Sequence, residues 1–414
     1  MSVVGKLRVL IIALNYAPEL VGCAKYTTEL AEELARRGHE VEVISGPPYY
    51  PTWAVYENYS ATKWYREEMN GVQLHRTPLY VPADPSGLKR IIHLASFALA
   101  ALPPALRVAK RLKPHVVFSV APTLTSASVA LTAGKFSGAF TWLHVQDFEV
   151  DAAFDLGIVK SNWLKGAALS FETWLLKAFD RVSSISPAMV DRLKQKGVEH
   201  RRVREFRNWV DVDQVQVVTD PNTAYRRELG ILPHEIVALY SGNMASKQGL
   251  EALAEVATRL TEHAPPVQLV LCGDGPAKPA LEQACRGLPN VKFLSLQPLE
   301  RLSELLGTAD IHLLPQRAEA ADLVLPSKLT GMLASGRPVV AMAAAGTGLY
   351  AEVEGCGINV PPDASAMTCA ILELAQDPKR RILLGVAARE RAESRWRKST
   401  IIDGFEAEVV QWSN

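Results

Sequence analysis

Short, almost unbroken apolar runs alternate with amphipathic stretches of helix length along this chain, and at mid-length the alternation starts over. Leu7–Leu14 is the first such run. A turn-rich loop, an amphipathic segment at Lys25–Arg37, the stop residue Gly38 and a second run at Glu40–Ser45 follow it. Further strand signals fall at Val72–Val81, His115–Val120, Ala139–Gln146, Arg181–Ile185 and Val203–Arg207. Helices are expected between them near Leu88–Leu112, Thr123–Phe136, Asn162–Phe179 and Pro187–Lys196. After Asp220-Pro221-Asn222 the pattern resumes with strands at Ile236–Ser241, Val267–Cys272, Val291–Leu294, Ile311–Leu314 and Pro338–Met342. Strands read as continuous apolar runs when helices cover both faces of a parallel sheet. The expected fold is therefore α/β, with two Rossmann-like domains whose mostly parallel sheets face each other across a cleft. The first domain spans 1–208 and the second 209–395, with a hinge near Asn208–Asn222. A terminal helix over 396–414 is expected to pack back across that hinge.

The totals narrow the function classes. A 414-residue chain that is 48% apolar and 21% charged has enough material for two packed cores. Its five cysteines form no CxxC pair and sit at no zinc-like spacing with histidine, which argues for a reducing compartment and against a metal site. Lys6 and Arg8 precede only a short apolar run, which reads as a strand and not as a secretion signal, so a cytoplasmic protein is expected. Ile91–Ala109 is nearly long enough to span a bilayer, but His93, Ser96, Pro103, Pro104 and Arg107 interrupt it. It reads as a buried or interfacial helix. Residues 1–208 hold 26 Lys+Arg against 19 Asp+Glu, and residues 209–414 hold 19 against 25. The basic first half fits peripheral contact with an anionic membrane or a phosphate-bearing acceptor. No nucleic-acid motif accompanies it.

Five loops carry the chemistry. Leu325–Ala341 reads as a loop, a short helix capped by Ser327, a stop at Gly336 and a strand after Pro338. A helix start aimed at the carboxyl edge of a sheet, with Lys328 beside it, suits a nucleotide diphosphate. Ser241-Gly242-Asn243 leads through Lys247 into another helix, where Gly242 allows close approach and Lys247 neutralises phosphate. Cys272-Gly273-Asp274-Gly275-Pro276 makes a third tight turn, with Gly273 and Gly275 suited to line a base pocket. In the first half, Gly22 precedes a helix without the GxGxxG spacing of a dinucleotide site. At Leu143–Asp151, Asp147 and Glu149 leave a strand where carboxylates can orient sugar hydroxyls or transfer a proton, and His144 and Gln146 share one face. Plain βα turns and solvated acids are the ordinary alternative for each loop taken alone.

Taken in order, these pieces resemble the family-4-type glycosyltransferases of GT-B fold. The matching residues are Pro18-Glu19 to Gly22, Asn208-Trp209-Val210-Asp211, Ser241-Gly242-Asn243 through Lys247 to Gly249, Cys272–Pro276, Pro326-Ser327-Lys328-Leu329 and Ala334–Val340. Val145–Glu149 and Leu325–Gly336 are similar to the subgroup of colanic acid (exopolysaccharide) assembly. The resemblance implies a nucleotide-sugar donor, GDP- or UDP-linked, bound mainly by the second domain, and an acceptor bound mainly by the first. That acceptor would be a polyprenyl-diphosphate-linked saccharide. A GDP-linked fucosyl donor follows from the subgroup alone. The resemblance also implies retention at the anomeric carbon, with no cofactor and no essential metal. Gly22, Gly242, Asn243, Lys247, Gly273, Gly275, Ser327 and Lys328 would hold the donor, while Asp147, Glu149 and Lys247 would serve the chemistry.

Three features depart from the family pattern. Asn243 stands where many members have arginine. Leu323 and Gly331 align with a pair of glutamates, for which Glu319 or Asp322 are the nearest substitutes. Gln146-Asp147 replaces a His-Asp. A nucleotide-sugar epimerase of the same fold, or a non-catalytic saccharide-binding protein, would share much of this pattern.

Overall fold

The computed structural model describes residues 5–19, 22–121, 124–148, 162–220, 222–245, 248–261, 263, 266–317 and 326–413. The chain forms two compact units. Met1–Arg207 and Ile401–Asn414 make the first, and Asn208–Thr400 makes the second.

Among the described residues the first unit is built on eight strands. They are β1 Arg8–Ile12, β2 Glu40–Ser45, β3 Tyr65–Met69, β4 Val72–Arg76, β5 Val116–Ala121, β6 Phe140–Val145, β7 Arg181–Ser184 and β8 Val203–Glu205. Their order across the sheet is β3-β4-β2-β1-β5-β6-β7-β8. Central strand β1 pairs in parallel on both sides, Ile11 opposite Val43 and Phe118. Only β3 runs antiparallel, with Tyr65 opposite Arg76. Strand β4 ends at Arg76, before the Pro78 that denies the ladder a donor, and so falls short of the expected Val72–Val81. On one face, Phe97, Ala101, Ala105 and Val108 of the Gly87–Leu112 helix pack on Leu10, Ile12, Val117 and Leu143.

The second unit has six strands: β9 Ile236–Ser241, β10 Val267–Cys272, β11 Val291–Leu294, β12 Ile311–Leu314, β13 Val339–Met342 and β14 Gly357–Val360. All pairings are parallel, in the order β11-β10-β9-β12-β13-β14. Its main core joins Leu253, Val256 and Leu260 of one helix and Met367, Ile371 and Leu374 of another to β9, β10 and β12.

The terminal helix expected over 396–414 is present as Lys398–Ser413, and from Ile401 on it belongs to the first unit. Pro378–Trp396 and Lys398–Ser413 are separate helices, broken at Arg397, whose backbone is extended and bridges Val210. None of the five cysteines is in a disulfide.

Candidate functional site

In the second unit the candidate residues gather at the carboxyl ends of β9 and β10. The two turns lie against each other: the Gly242 amide donates to the Cys272 carbonyl at 3.0 Å, and the Met244 amide donates to the Asp274 carbonyl at 2.9 Å. Gly273 sits at φ +147°, and a Cβ there would land on the Gly242 carbonyl oxygen. Gly275 is similarly placed against Met244 and the Asn243 side chain. These glycines are required because two backbones cross with no room for a side chain. Asp274 is committed to this architecture. It accepts from the Leu296 amide at 2.7 Å and from Lys278 at 2.9 Å, and these two bonds hold its carboxyl below the usual range. Gly273→Ala is therefore expected to cost about 1–3 kcal/mol through strain and the clash. The measurement is a lower urea midpoint for the second unit, and an unchanged midpoint would contradict the packing described.

Lys328 reaches the same edge from the start of the Lys328–Ala334 helix. Its Nζ donates to the Tyr240 hydroxyl at 2.7 Å and to Gln248 Oε1 at 3.1 Å. It also stands 4.3 Å from the Tyr240 ring centroid. A Cβ on Gly242 would lie 3.3 Å from its Cε, so the side chain runs along that glycine. The Tyr240 hydroxyl directs its own proton toward the Asn243 carbonyl at 2.7 Å or Gln248 Oε1 at 2.6 Å. Among the described residues no carboxylate pairs with Lys328. Burial accordingly pulls its pKa from 10.5 down to about 8.

Ser327 does not cap this helix with its side chain as expected. Its backbone is already helical, its side chain makes no cap bond, and it is exposed. Its carbonyl instead accepts from Thr330 Oγ1 at 3.0 Å. A good cap type is not a cap when the preceding backbone leaves the extended region that capping needs. Gly336 does follow the helix in the left-handed conformation. Lys247 lies outside the described residues, as do Glu319, Asp322 and Leu323.

In the first unit, Gly22 is exposed at φ +59° immediately before the Cys23–Arg36 helix. Asp147 is exposed just past β6, its Oδ1 accepting from the Phe148 amide at 2.8 Å. Because β1, β5 and β6 are adjacent and parallel, the loops carrying Gly22 and Asp147 leave the same sheet edge, two strand spacings or about 10 Å apart. Glu149 lies outside the described residues. His144 is a core residue. It stacks on Phe118 at 6.0 Å, shares Ser183 Oγ with Trp142, and burial drops its pKa to about 3, so it stays neutral.

Sequence reading gave no role to several residues that shape these edges. Glu19 is buried, and its Oε1 accepts from the amides of Tyr49 and Tyr50 at 2.6 and 2.7 Å while Asn15 holds Oε2 at 2.8 Å. Burial raises its pKa against the pull of those bonds. His93 Nδ1 meets the Tyr80 carbonyl at 2.6 Å, which fixes the proton there and leaves Nε2 to accept from the Tyr49 hydroxyl at 3.0 Å. Tyr240 and Gln248 complete the set. Their link to Lys328 spans 80 residues or more, and no local signal announces it.

Comparison with known proteins adds to this geometry. Residues 21–209 match the model of a glycosyl transferase 4-like domain, and residues 235–377 match that of glycosyl transferases group 1. A protein of Escherichia coli (strain K12) bearing the name colanic acid biosynthesis glycosyl transferase WcaI is 41% identical over 409 residues, covering 96% of this chain and 98% of its own. Sucrose-phosphate synthase from Thermosynechococcus elongatus superposes with a TM-score of 0.74 at 20% identity, over 98% of both chains. Anabaena Alr3699/HepE, solved with UDP-glucose, gives 0.66 at 17% identity over 97% of this chain and 99% of that one.

Proposed function

This chain belongs to the glycosyltransferase family with a 4-like domain followed by a group 1 domain, and from that membership we propose that it moves a sugar from a nucleotide-sugar donor to a lipid-linked saccharide during exopolysaccharide assembly. One observation carries the reading. Lys328 holds a positive charge at a glycine-lined strand edge with only neutral partners among the described residues. A cation kept there without a counterion is matched to an anion that arrives, and a sugar nucleotide's diphosphate is that anion.

Breaking the glycosyl–phosphate bond leaves negative charge on the diphosphate. Lys328 and Lys247, with the backbone amides around Gly242 and Asn243, would stabilise it without a divalent ion. Gly273 and Gly275 keep the adjoining wall low enough for the nucleotide. In the first unit, Gly22 and Asp147, with Glu149, would orient sugar hydroxyls, and a leaving phosphate oxygen would accept the acceptor's proton. Such a course retains anomeric configuration. The name of the E. coli relative supports an exopolysaccharide of the colanic acid type. The proposal takes a GDP- or UDP-linked donor and a polyprenyl-diphosphate-linked acceptor with it. A protein acting on such an acceptor would sit peripherally on the inner face of the cytoplasmic membrane.

A thermal-shift panel of UDP-, GDP- and TDP-sugars tests the reading. A cognate donor stabilises by RT ln(1 + [L]/Kd), about 2.7 kcal/mol at 100 times Kd, and so raises the melting temperature. Lys247→Ala should reduce that shift and lower transfer while the unliganded protein melts as before. No shift with any sugar nucleotide would overturn the reading. Epimerised donor accumulating without acceptor would replace it with an isomerase.

A further inference from the structure

We infer that the outer face of the Gly87–Leu112 helix, together with Trp64, is a surface that inserts into the headgroup region of an anionic phospholipid bilayer. The inner face of this helix is core: Phe97, Ala101 and Ala105 are fully buried. The outer face breaks the usual pattern. A surface helix turns polar residues to water, yet here Leu88 is 70% exposed, Ile91 56%, Ile92 46% and Leu99 75%. Spacing puts Leu88, Ile92, Leu99 and Pro103 on one line, which Arg107 and Lys110 continue. The helix is apolar and long enough to cross a bilayer, yet only a third of its most apolar window is buried. Crossing would tear the buried face out of the sheet, so the helix lies in the interface plane.

Trp64 belongs to the same surface. It is 60% exposed, and its indole N–H donates to the Ala100 carbonyl at 3.0 Å. Pro104, four residues on, has no N–H to offer that carbonyl, so the proline leaves an acceptor that the tryptophan satisfies. An indole with its nitrogen bonded and its ring exposed beside Leu99 suits the headgroup boundary.

Charge identifies the occupant. Residues 85–146 contain seven Lys and Arg and no Asp or Glu. Among the described residues two of the seven form ion pairs, Lys89 with Asp84 at 3.8 Å and Arg111 with Glu42 at 2.6 Å, while Arg90 lies over the Trp53 ring at 5.5 Å. Arg107 and Lys110 make no ion pair among the described residues. An apolar strip flanked by uncompensated cations complements anionic headgroups over acyl chains. A second copy of this chain would bring the same cations against each other across a two-fold axis, which disfavours self-association.

The inference deepens the proposed function, since a lipid-linked acceptor is met at a bilayer, but its test needs neither donor nor acceptor. The full chain is sedimented with phosphatidylcholine vesicles, with and without phosphatidylglycerol. Binding is expected only to the anionic vesicles, at least 10-fold weaker for the double variant Ile92→Glu/Leu99→Glu, and weakened by salt. Trp64→Phe should remove a blue-shifted part of the emission change on binding. Circular dichroism and gel filtration establish that the variants fold and report the oligomeric state of each. Equal binding of wild type and double variant overturns the inference, as does equal binding to neutral vesicles. A wild-type dimer that the double variant dissolves, without vesicle binding, assigns the face to a second copy and overturns it too. If transfer is never found while the vesicle result stands, the catalytic reading fails and the membrane face survives.

Discussion

Lys328→Met is expected to lower kcat/KM for the donor about 10²–10³-fold, the usual effect of removing one group that stabilises developing negative charge. The same variant should melt at the same temperature as the parent at pH 7, or higher. A lysine whose pKa falls from 10.5 to about 8 disfavours its own charge in the folded chain by roughly 3 kcal/mol. The sign follows from linkage. Between pH 8 and 10.5 the unfolded lysine holds a proton that the folded one has released, so folding stability rises with pH across that window. Below it, the penalty is present in full. Methionine keeps the stem beside Gly242 and removes the charge, so the pH-dependent gain should vanish with it. Loss of activity together with loss of stability would mean that Lys328 is a structural residue.

The same titration shapes ligand binding. Free Lys328 loses its charge above about pH 8, so diphosphate affinity should be flat below that value and weaken above it, up to tenfold per pH unit. Lys328→Arg keeps its charge through this range, and its affinity should lack the alkaline limb even where its overall level drops. Calorimetry with UDP or GDP at several pH values reads both effects. An alkaline limb that persists in the arginine variant would assign the titration to another group.

How much of this was legible follows from the kind of signal each element leaves. Buried parallel strands such as β1, β5, β9 and β10 are apolar runs, and all four lie within or close to their expected bounds. Strand β3, Tyr-Arg-Glu-Glu-Met, is an exposed antiparallel edge held by the β4 ladder and the Glu67–Arg76 pair, and neither is visible locally. Strand β14 has only four residues, opened by a glycine. The glycine turns after β9 and β10 were readable because their conformation needs glycine whatever lies around them. Lys328 was readable as a charge but not as a half-buried one, since Tyr240 and Gln248 reach it through tertiary packing. Ser327 was misread because its residue type suited a cap while its backbone did not. His144 was grouped with Gln146 by strand alternation, which gives the face of a sheet and not whether that face meets solvent. The packed aromatic layer of Phe118, Trp142 and Phe206 decides that.

That layer also sets the largest stability effect. Phe405→Ala, in the last helix, is expected to cost about 3–5 kcal/mol, the range for emptying a buried phenylalanine site. Phe405 is 1% exposed and stacks on Trp142 at 4.9 Å, meeting Phe118 and Phe206 edge-on or tilted at 5.4 and 5.9 Å. Ile402 and Val409 are buried beside it in sequence, one helical turn away on either side. Ionic contacts frame this apolar seam. Arg37 reaches Asp403 at 2.6 Å and Glu406 at 2.8 Å, His39 meets Glu406 at 2.8 Å, and Arg181 pairs with Glu408. Asp403 is 66% exposed, so Asp403→Ala should cost less than about 1 kcal/mol. The contrast between these two substitutions is the test, because both remove contacts of one helix but only one removes buried apolar surface. Hydrogen exchange in the Phe405 variant should show β1, β5 and β6 losing protection while β9 and β10 keep theirs, since Phe118, Trp142 and Phe206, the rings that Phe405 meets, belong to the first unit. Equal costs for the two substitutions would mean that charge, not packing, anchors the chain's end. The first unit then owes part of its sheet stability to residues nearly 200 positions beyond its own last strand, and a truncation before Ile401 should leave it unable to hold that sheet.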